Sequence, residues 1–273
     1  MRETKLLVLD ATHSRELCLS GVTVGTVVDL YKRIYGGEPC KRPFHVRLKG
    51  SNTTHKSTCG GSLISDKWIL TAAHCWKAGW TMEAILDDNQ GTGQGQTVQI
   101  TNPPVIYTDG KEAHDIMLLN MSNPTSLTPV ELPNCSKRIK GAEVQVAGHG
   151  PTTAGPNKER HSNTSSVLHC GNFSIIDCNS LVNTTIYKKR KHQHFICGSS
   201  STMDTCGGDS GGGVLYQGQI YGVHSFTWNH THTCSAPVGF MDVCEYIVWI
   251  RNISSPTKAA SSPTRNSKCC SLI

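Results

Sequence analysis

Thirteen cysteines in 273 residues limit what this chain can be more than any other feature. The number is too high for a cytosolic enzyme, and it suits a protein that folds in an oxidising compartment. The sequence alone leaves the connectivity open. Zinc is a poor rival, because the cysteines form no CxxC pairs. Hydrophobic residues make up 37% of the chain, beside 26 glycines and 12 prolines, which reads as many short strands joined by turns. Leu63-Ile64, Trp68-Ile69-Leu70, Ile116-Met117-Leu118-Leu119, Val144-Gln145-Val146 and Ile220-Tyr221-Gly222-Val223 are candidate strands. One helix is expected, from Val243 to Ile253, with Tyr246, Ile247 and Ile250 on one face. No apolar run approaches the roughly 20 residues of a membrane span. By length the chain allows two domains, although two-barrel all-β proteins also reach this size. No internal repeat is present.

Chemistry is concentrated in Cys206-Gly207-Gly208-Asp209-Ser210-Gly211-Gly212-Gly213. Glycines on both sides of Asp209-Ser210 let the backbone turn sharply and expose the hydroxyl and its neighbouring N–H groups. Acyl transfer needs a nucleophile and donors aimed where an oxyanion forms. Taken alone, such a segment also makes an ordinary loop. Two other segments supply partners: Trp68-Ile69-Leu70-Thr71-Ala72-Ala73-His74-Cys75, and His114-Asp115 at the mouth of an apolar run. The order His74, Asp115, Ser210 provides a base for the serine proton and an acid that holds the imidazole tautomer.

With Arg33-Ile34-Tyr35-Gly36-Gly37, Thr71-Ala72-Ala73-His74-Cys75, His114-Asp115-Ile116 and Gly208-Asp209-Ser210-Gly211-Gly212, the chain resembles the chymotrypsin/trypsin family of secreted serine proteases over roughly Ile34 to Asn252. The resemblance implies an all-β fold of two six-stranded antiparallel Greek-key barrels with a C-terminal helix. It also implies bridges Cys59–Cys75, Cys40–Cys170, Cys135–Cys244, Cys178–Cys197 and Cys206–Cys234, which use every cysteine of the protease region. A further bridge of the trypsins would join the positions of Val144 and Tyr216; both of its cysteines are missing here, so no orphan thiol is left. In the implied mechanism His74 takes the Ser210 proton, Asp115 orients His74, and the N–H groups of Gly208 and Ser210 hold the oxyanion. Activity is expected to rise through the imidazole titration range.

Activation follows the same resemblance. Cleavage after Arg33 by another protease would free an ammonium group on Ile34, which would pair with a buried Asp209. Tyr35 replaces the small apolar residue usual after the new terminus. Asp204 stands where trypsin-like members place the acid that receives Arg or Lys. Ser225 and Thr227 would lie on the pocket wall, with Thr227 and Val238 at positions normally held by glycine. Gly213 stands where proline is usual, and His149 where tryptophan is common. The loop Asp87 to Gln96 lacks the paired glutamates that bind calcium in trypsins, so no metal and no cofactor are expected.

The ends read differently. Leu17 to Val28 is a modest apolar run like a weak signal core, giving 1–33 as leader and activation propeptide, with 34–253 as the protease domain. Residues 254–273 are rich in Ser, Thr, Pro, Lys and Asn and read as a disordered tail. The terminal Cys-Ser-Leu-Ile superficially fits a prenylation box, a cytosolic modification at odds with the rest. Cys18, Cys269 and Cys270 are left for intermolecular bridges. Eight Asn-x-Ser/Thr sequons begin at Asn52, Asn120, Asn134, Asn163, Asn172, Asn183, Asn229 and Asn252, which fits a glycosylated extracellular protein. The formal charge is +6, and Tyr187 to His192 gathers Lys188, Lys189, Arg190 and Lys191 in one expected surface loop. That loop is a solvated insertion or an exosite for acidic glycans or acidic proteins. Nucleic-acid binding has no supporting motif. Expected partners are protein or peptide substrates, an activating protease and protein inhibitors, acting on a monomer. Two functions compete: a secreted endopeptidase, and a homologue that keeps the fold and binds without cutting. The complete set of His74, Asp115 and Ser210 favours the enzyme.

Overall fold

Alternation of buried and exposed side chains organises the sheets. In the strand His45–Ser51, Val46 and Leu48 are buried while Lys49 faces solvent, the two-residue period of a half-buried strand. The computed structural model describes residues 34–87, 95–110, 112–151, 153–159, 164–229, 231–234 and 236–255. The expected leader and propeptide, most of the loop Asp87 to Gln96 and the tail from 256 lie outside the described residues.

The first half carries β1 (Glu38–Pro39), β2 (His45–Ser51), β3 (Lys56–Leu63), β4 (Trp68–Thr71), β5 (Thr81–Leu86), β6 (Gln96–Gln99), β7 (Val105–Thr108) and β8 (Ala113–Asn120). The second half carries β9 (Glu143–Gly148), β10 (His169–Ile176), β11 (Phe195–Ser199), β12 (Gly213–Tyr216), β13 (Gln219–Thr227) and β14 (Val238–Asp242). One antiparallel sheet has the order β6-β5-β2-β3-β4-β8-β7. The other has the order β1-β10-β11-β14-β13-β12-β9, and β9 pairs again with β10. Six of its strands therefore close into a barrel, with β1 attached to β10. The expected all-β class with two sheets and a C-terminal helix holds, although β6 and β7 share no ladder among the described residues.

The larger core crosses both sheets: Val46, Leu48, Leu70 and Leu118 of the first meet Leu215, Ile220, Val223 and Met241 of the second. Ile116 to Leu119 are fully buried, which explains why β8 reads as a continuous apolar run. Four bridges, Cys40–Cys170, Cys59–Cys75, Cys135–Cys244 and Cys178–Cys197, close as expected.

Helices correct the sequence reading twice. The C-terminal helix spans Ile247–Ser254 and does not begin at Val243. The preceding turn is pinned by the Cys135–Cys244 bridge and by the Val243 N–H donating to the Tyr221 carbonyl. Tyr246 and Ile250 are buried as expected. A second helix, Thr185–Arg190, overlaps the stretch Tyr187 to His192 that the sequence reads as a surface loop. We call these α1 (Thr185–Arg190) and α2 (Ile247–Ser254). Six residues are too few to display a helical period, and the nucleus is stabilised by Thr184 Oγ1 accepting the Tyr187 N–H at 3.2 Å.

Candidate active site

His74 sits in a 3₁₀ turn, Ala73–Cys75, directly after β4. The Cys59–Cys75 bridge ties that turn to β3. Asp115 lies on β8, whose pairing with β4 places the carboxylate beside the turn. Asp115 Oδ1 accepts the His74 backbone N–H at 2.9 Å, and His74 Nδ1 lies 3.0 Å from Oδ1 and 2.9 Å from Oδ2. The Ser225 hydroxyl on β13 donates to Oδ2, and the Asp115 N–H donates to Gln193 Oε1 at 3.0 Å. Asp115 is only 7% exposed. Burial by itself raises a carboxyl pKa, but the hydrogen bonds and charge of His74 and the Ser225 hydroxyl outweigh it and hold Asp115 below the ordinary value. The imidazole therefore faces a fixed anion on its Nδ1 side, while its side chain is 41% exposed.

Ser210 enters this neighbourhood from the turn before β12. The Gly60 N–H on β3 donates to its carbonyl at 2.7 Å, and Cys75 Sγ lies 3.8 Å from the same oxygen. Its flanks are held too: the Gly211 N–H reaches the His224 carbonyl at 2.8 Å, and the Gly212 N–H the Asp209 carbonyl at 3.0 Å. Gly208 has φ of +103° and Gly211 φ of +81°, a region open to glycine at little cost. A Cβ on Gly211 would also overlap Thr71 Oγ1 and the Gly60 carbonyl. Among the described residues, neither the Gly208 nor the Ser210 N–H has an acceptor. Ser210 Oγ makes no hydrogen bond there either, so among the described residues no hydrogen bond joins Ser210 to His74.

Asp209 is fully buried. Its carboxylate accepts the Gly150 N–H at 2.7 Å and the Cys206 N–H at 2.8 Å. It lies so close to Gly148 and Gly150 that a Cβ on either would overlap it. Ile34 is also fully buried and carries φ of +46°. Asp204 is 1% exposed; its Oδ1 accepts the Thr205 N–H at 2.7 Å and its Oδ2 the Cys234 N–H at 2.6 Å. The Asp204 N–H in turn donates to the Tyr35 carbonyl at 3.0 Å. Thr227 and Val238 are direct partners between β13 and β14, and Val238 is 1% exposed.

Two contacts went unread in the sequence. Ser225, expected on the pocket wall, is hydrogen-bonded to Asp115. Arg190, expected in a solvated basic loop, places Nη1 3.2 Å from Asp115 Oδ2 and is 27% exposed. Neither contact has a sequence signal, since 75 and 110 residues separate the partners. The glycine at 213 does have a local cause, because any Cβ there would crowd Ser62 Oγ. Cys59, His74 and Cys75 bring potential ligand atoms together, but both sulfurs belong to one disulfide, which removes the thiolates a metal would need.

A family model described as Trypsin matches residues 34–250. The chain is 30% identical to Kallikrein-8 of Mus musculus over 204 residues, covering 71% of this chain and 75% of that protein. It is 31% identical to Trypsin of Xenopus laevis over 234 residues, covering 81% and 90%. Among solved structures it is similar to neuropsin, a serine protease expressed in the limbic system of mouse brain, with a TM-score of 0.63 and 26% identity over 79% of this chain and 97% of that one. A match over the whole double-sheet region, together with relatives at this identity, makes the chain a member of the trypsin family and a serine endopeptidase.

Proposed function

We propose that the protein is a secreted serine endopeptidase made as a zymogen, activated by cleavage after Arg33, and hydrolysing peptide bonds through Ser210, His74 and Asp115. The observation that carries this reading is the buried Asp115 carboxylate 2.9 Å from His74 Nδ1. His74 accepts the Ser210 proton on its other nitrogen as the oxygen attacks the carbonyl, then returns it to the leaving amine. Asp115 stabilises the imidazolium that forms between those steps. Gly208 and Ser210 supply the oxyanion donors, each worth roughly 3–4 kcal/mol of barrier. Their N–H groups have no intramolecular acceptor among the described residues, which supports this role.

Two features support the zymogen. A buried β-branched residue with φ of +46° is strained. Cleavage before Ile34 removes the preceding carbonyl and relaxes that restriction. Ile34 and Asp209 are both fully buried, so the new ammonium group and the carboxylate with which it would pair are both shielded from water. The bridge Cys206–Cys234 is part of the same proposal, since these residues flank Asp204 and its acceptor contacts. Secretion rests on the four closed bridges and on the sequons. No described helix is long and apolar enough to cross a membrane.

For specificity we assign Asp204 to a substrate Arg or Lys. A second reading, preference for small aliphatic residues, is favoured by the pairing of Thr227 with Val238 and by the burial of Asp204 against two backbone donors. The mechanism is tested by fluorophosphonate labelling after cleavage at Arg33. Rapid labelling of the native chain and none of Ser210→Ala is expected. An unlabelled but cleanly cleaved native chain would make the protein a binding homologue.

A further inference from the structure

The sequence treats Arg190 as one cation among several in a basic loop, yet its side chain leaves that group. Nη1 lies 3.2 Å from Asp115 Oδ2 and 3.4 Å from Ser225 Oγ. The guanidinium lies 4.5 Å from the Phe226 ring centroid, and such stacking fixes an arginine fork. The helix that carries it is anchored independently, because Trp228 Nε1 donates to the Thr184 cap at 2.9 Å. Arg190 is therefore held on three sides, by an anion, a hydroxyl and a ring.

The carboxylate it meets already has partners. Asp115 accepts the His74 N–H, faces His74 Nδ1, and accepts the Ser225 hydroxyl. One negative charge thus serves two basic residues. We propose that Arg190 is a positioning residue of the triad, sharing Asp115 with His74 and extending proteolysis toward lower pH. This rests on the triad reading above. With Arg190 in place the Asp115 charge is partly offset, and removing Arg190 would leave the full anion facing His74 Nδ1. Arg190 also limits the carboxylate to one orientation, since Oδ2 is held from the β13 side and from the end of α1.

Other ionisable groups on the surrounding elements have their own contacts. On β8, His114 Nδ1 meets the Tyr246 hydroxyl at 2.8 Å, and its Nε2 is 3.4 Å from Asp109. After α1, His192 is 3.0 Å from Glu112 Oε2, and the His194 ring packs on Tyr246 and His114. On β13, His224 Nε2 is 2.7 Å from Thr205 Oγ1. Lys188, Lys189 and Lys191 complete the basic residues around Arg190. Comparing variants at position 190 keeps all of these constant.

The full chain, cleaved after Arg33, is labelled with a fluorophosphonate from pH 5 to 9, and the second-order rate is followed. Arg190→Gln and Arg190→Met remove the charge, the latter keeping an apolar stem against Phe226. Their acid limbs are expected to move up relative to the native chain, by less than the roughly one pH unit of a directly adjacent charge, because Arg190 acts through Asp115. Arg190→Lys is expected to keep most of the native profile. Superimposable limbs for the native chain and both uncharged variants would overturn the proposal. So would misfolding of both uncharged variants beside a folded Arg190→Lys with the native limb, which would assign Arg190 to the scaffold. No labelling of the native chain at any pH would instead overturn the triad reading.

Discussion

Asp115 is the residue on which the site converges. Its carboxylate is 7% exposed and gathers His74, Ser225 and Arg190 from three separate elements. Replacing it with Asn keeps the shape but offers an amide where the imidazole needs an acceptor. Asp115→Asn is expected to lower kcat by about 10⁴-fold, measured on a fluorogenic peptide. A loss below tenfold would mean that another group orients His74. The pairing of His74 with Asp115 was legible in the sequence because both residues sit in recognisable segments of fixed order. The contacts of Ser225 and Arg190 were not legible. Each depends on which strand or helix end comes to rest against β8, and neither residue type is unusual where it stands. Gly148 and Gly150 carry no role in the sequence reading; what requires them is the Asp209 carboxylate, which a Cβ at either position would overlap.

Among the elements, strands were easier to read than helices. The apolar runs of β4, β8, β9 and β13 are short and bounded by turn residues, so their positions emerged directly. The helix α1 did not, because its basic residues carry no apolar face and its start depends on one threonine cap. The paired β13 and β14 set the specificity question. Thr227 and Val238 face each other across that ladder, and Val238 is nearly closed to solvent. A peptide panel with Arg, Lys, Tyr, Leu and Ala before the scissile bond separates the two specificity readings. Cleavage after Arg and Lys is expected, with Val238→Gly raising kcat/KM for the Arg peptide at least tenfold. A native preference for Leu or Ala would remove Asp204 from substrate recognition.

At the scale of the whole molecule, stability and activation both depend on ionisable groups placed in the core. His45 is 4% exposed, 5.4 Å from the His149 ring, and its Nε2 has no hydrogen-bond partner among the described residues. Burial first, then His149, Arg42 and Arg47, hold its pKa well below the usual histidine value. The unfolded chain thus binds a proton near pH 6.5 that the folded chain refuses. Stability is full above that pH and falls as pH drops toward the depressed folded value, by at most about 1.4 kcal/mol per pH unit for this group. Thermal midpoints measured between pH 7.5 and 5 are expected to fall, and His45→Gln to flatten that slope; equal slopes would place the acid sensitivity elsewhere. Ile34 and Asp209 are both fully buried while Arg33 still precedes Ile34 in the chain. Peptide hydrolysis by the chain cleaved after Arg33, compared with an intact Arg33→Gln chain, is the most direct measurement. Turnover is expected in the cleaved chain and at least a hundredfold less in the uncleaved one, with Ser210→Ala silent in both forms. Equal turnover by cleaved and uncleaved chains would contradict activation by cleavage.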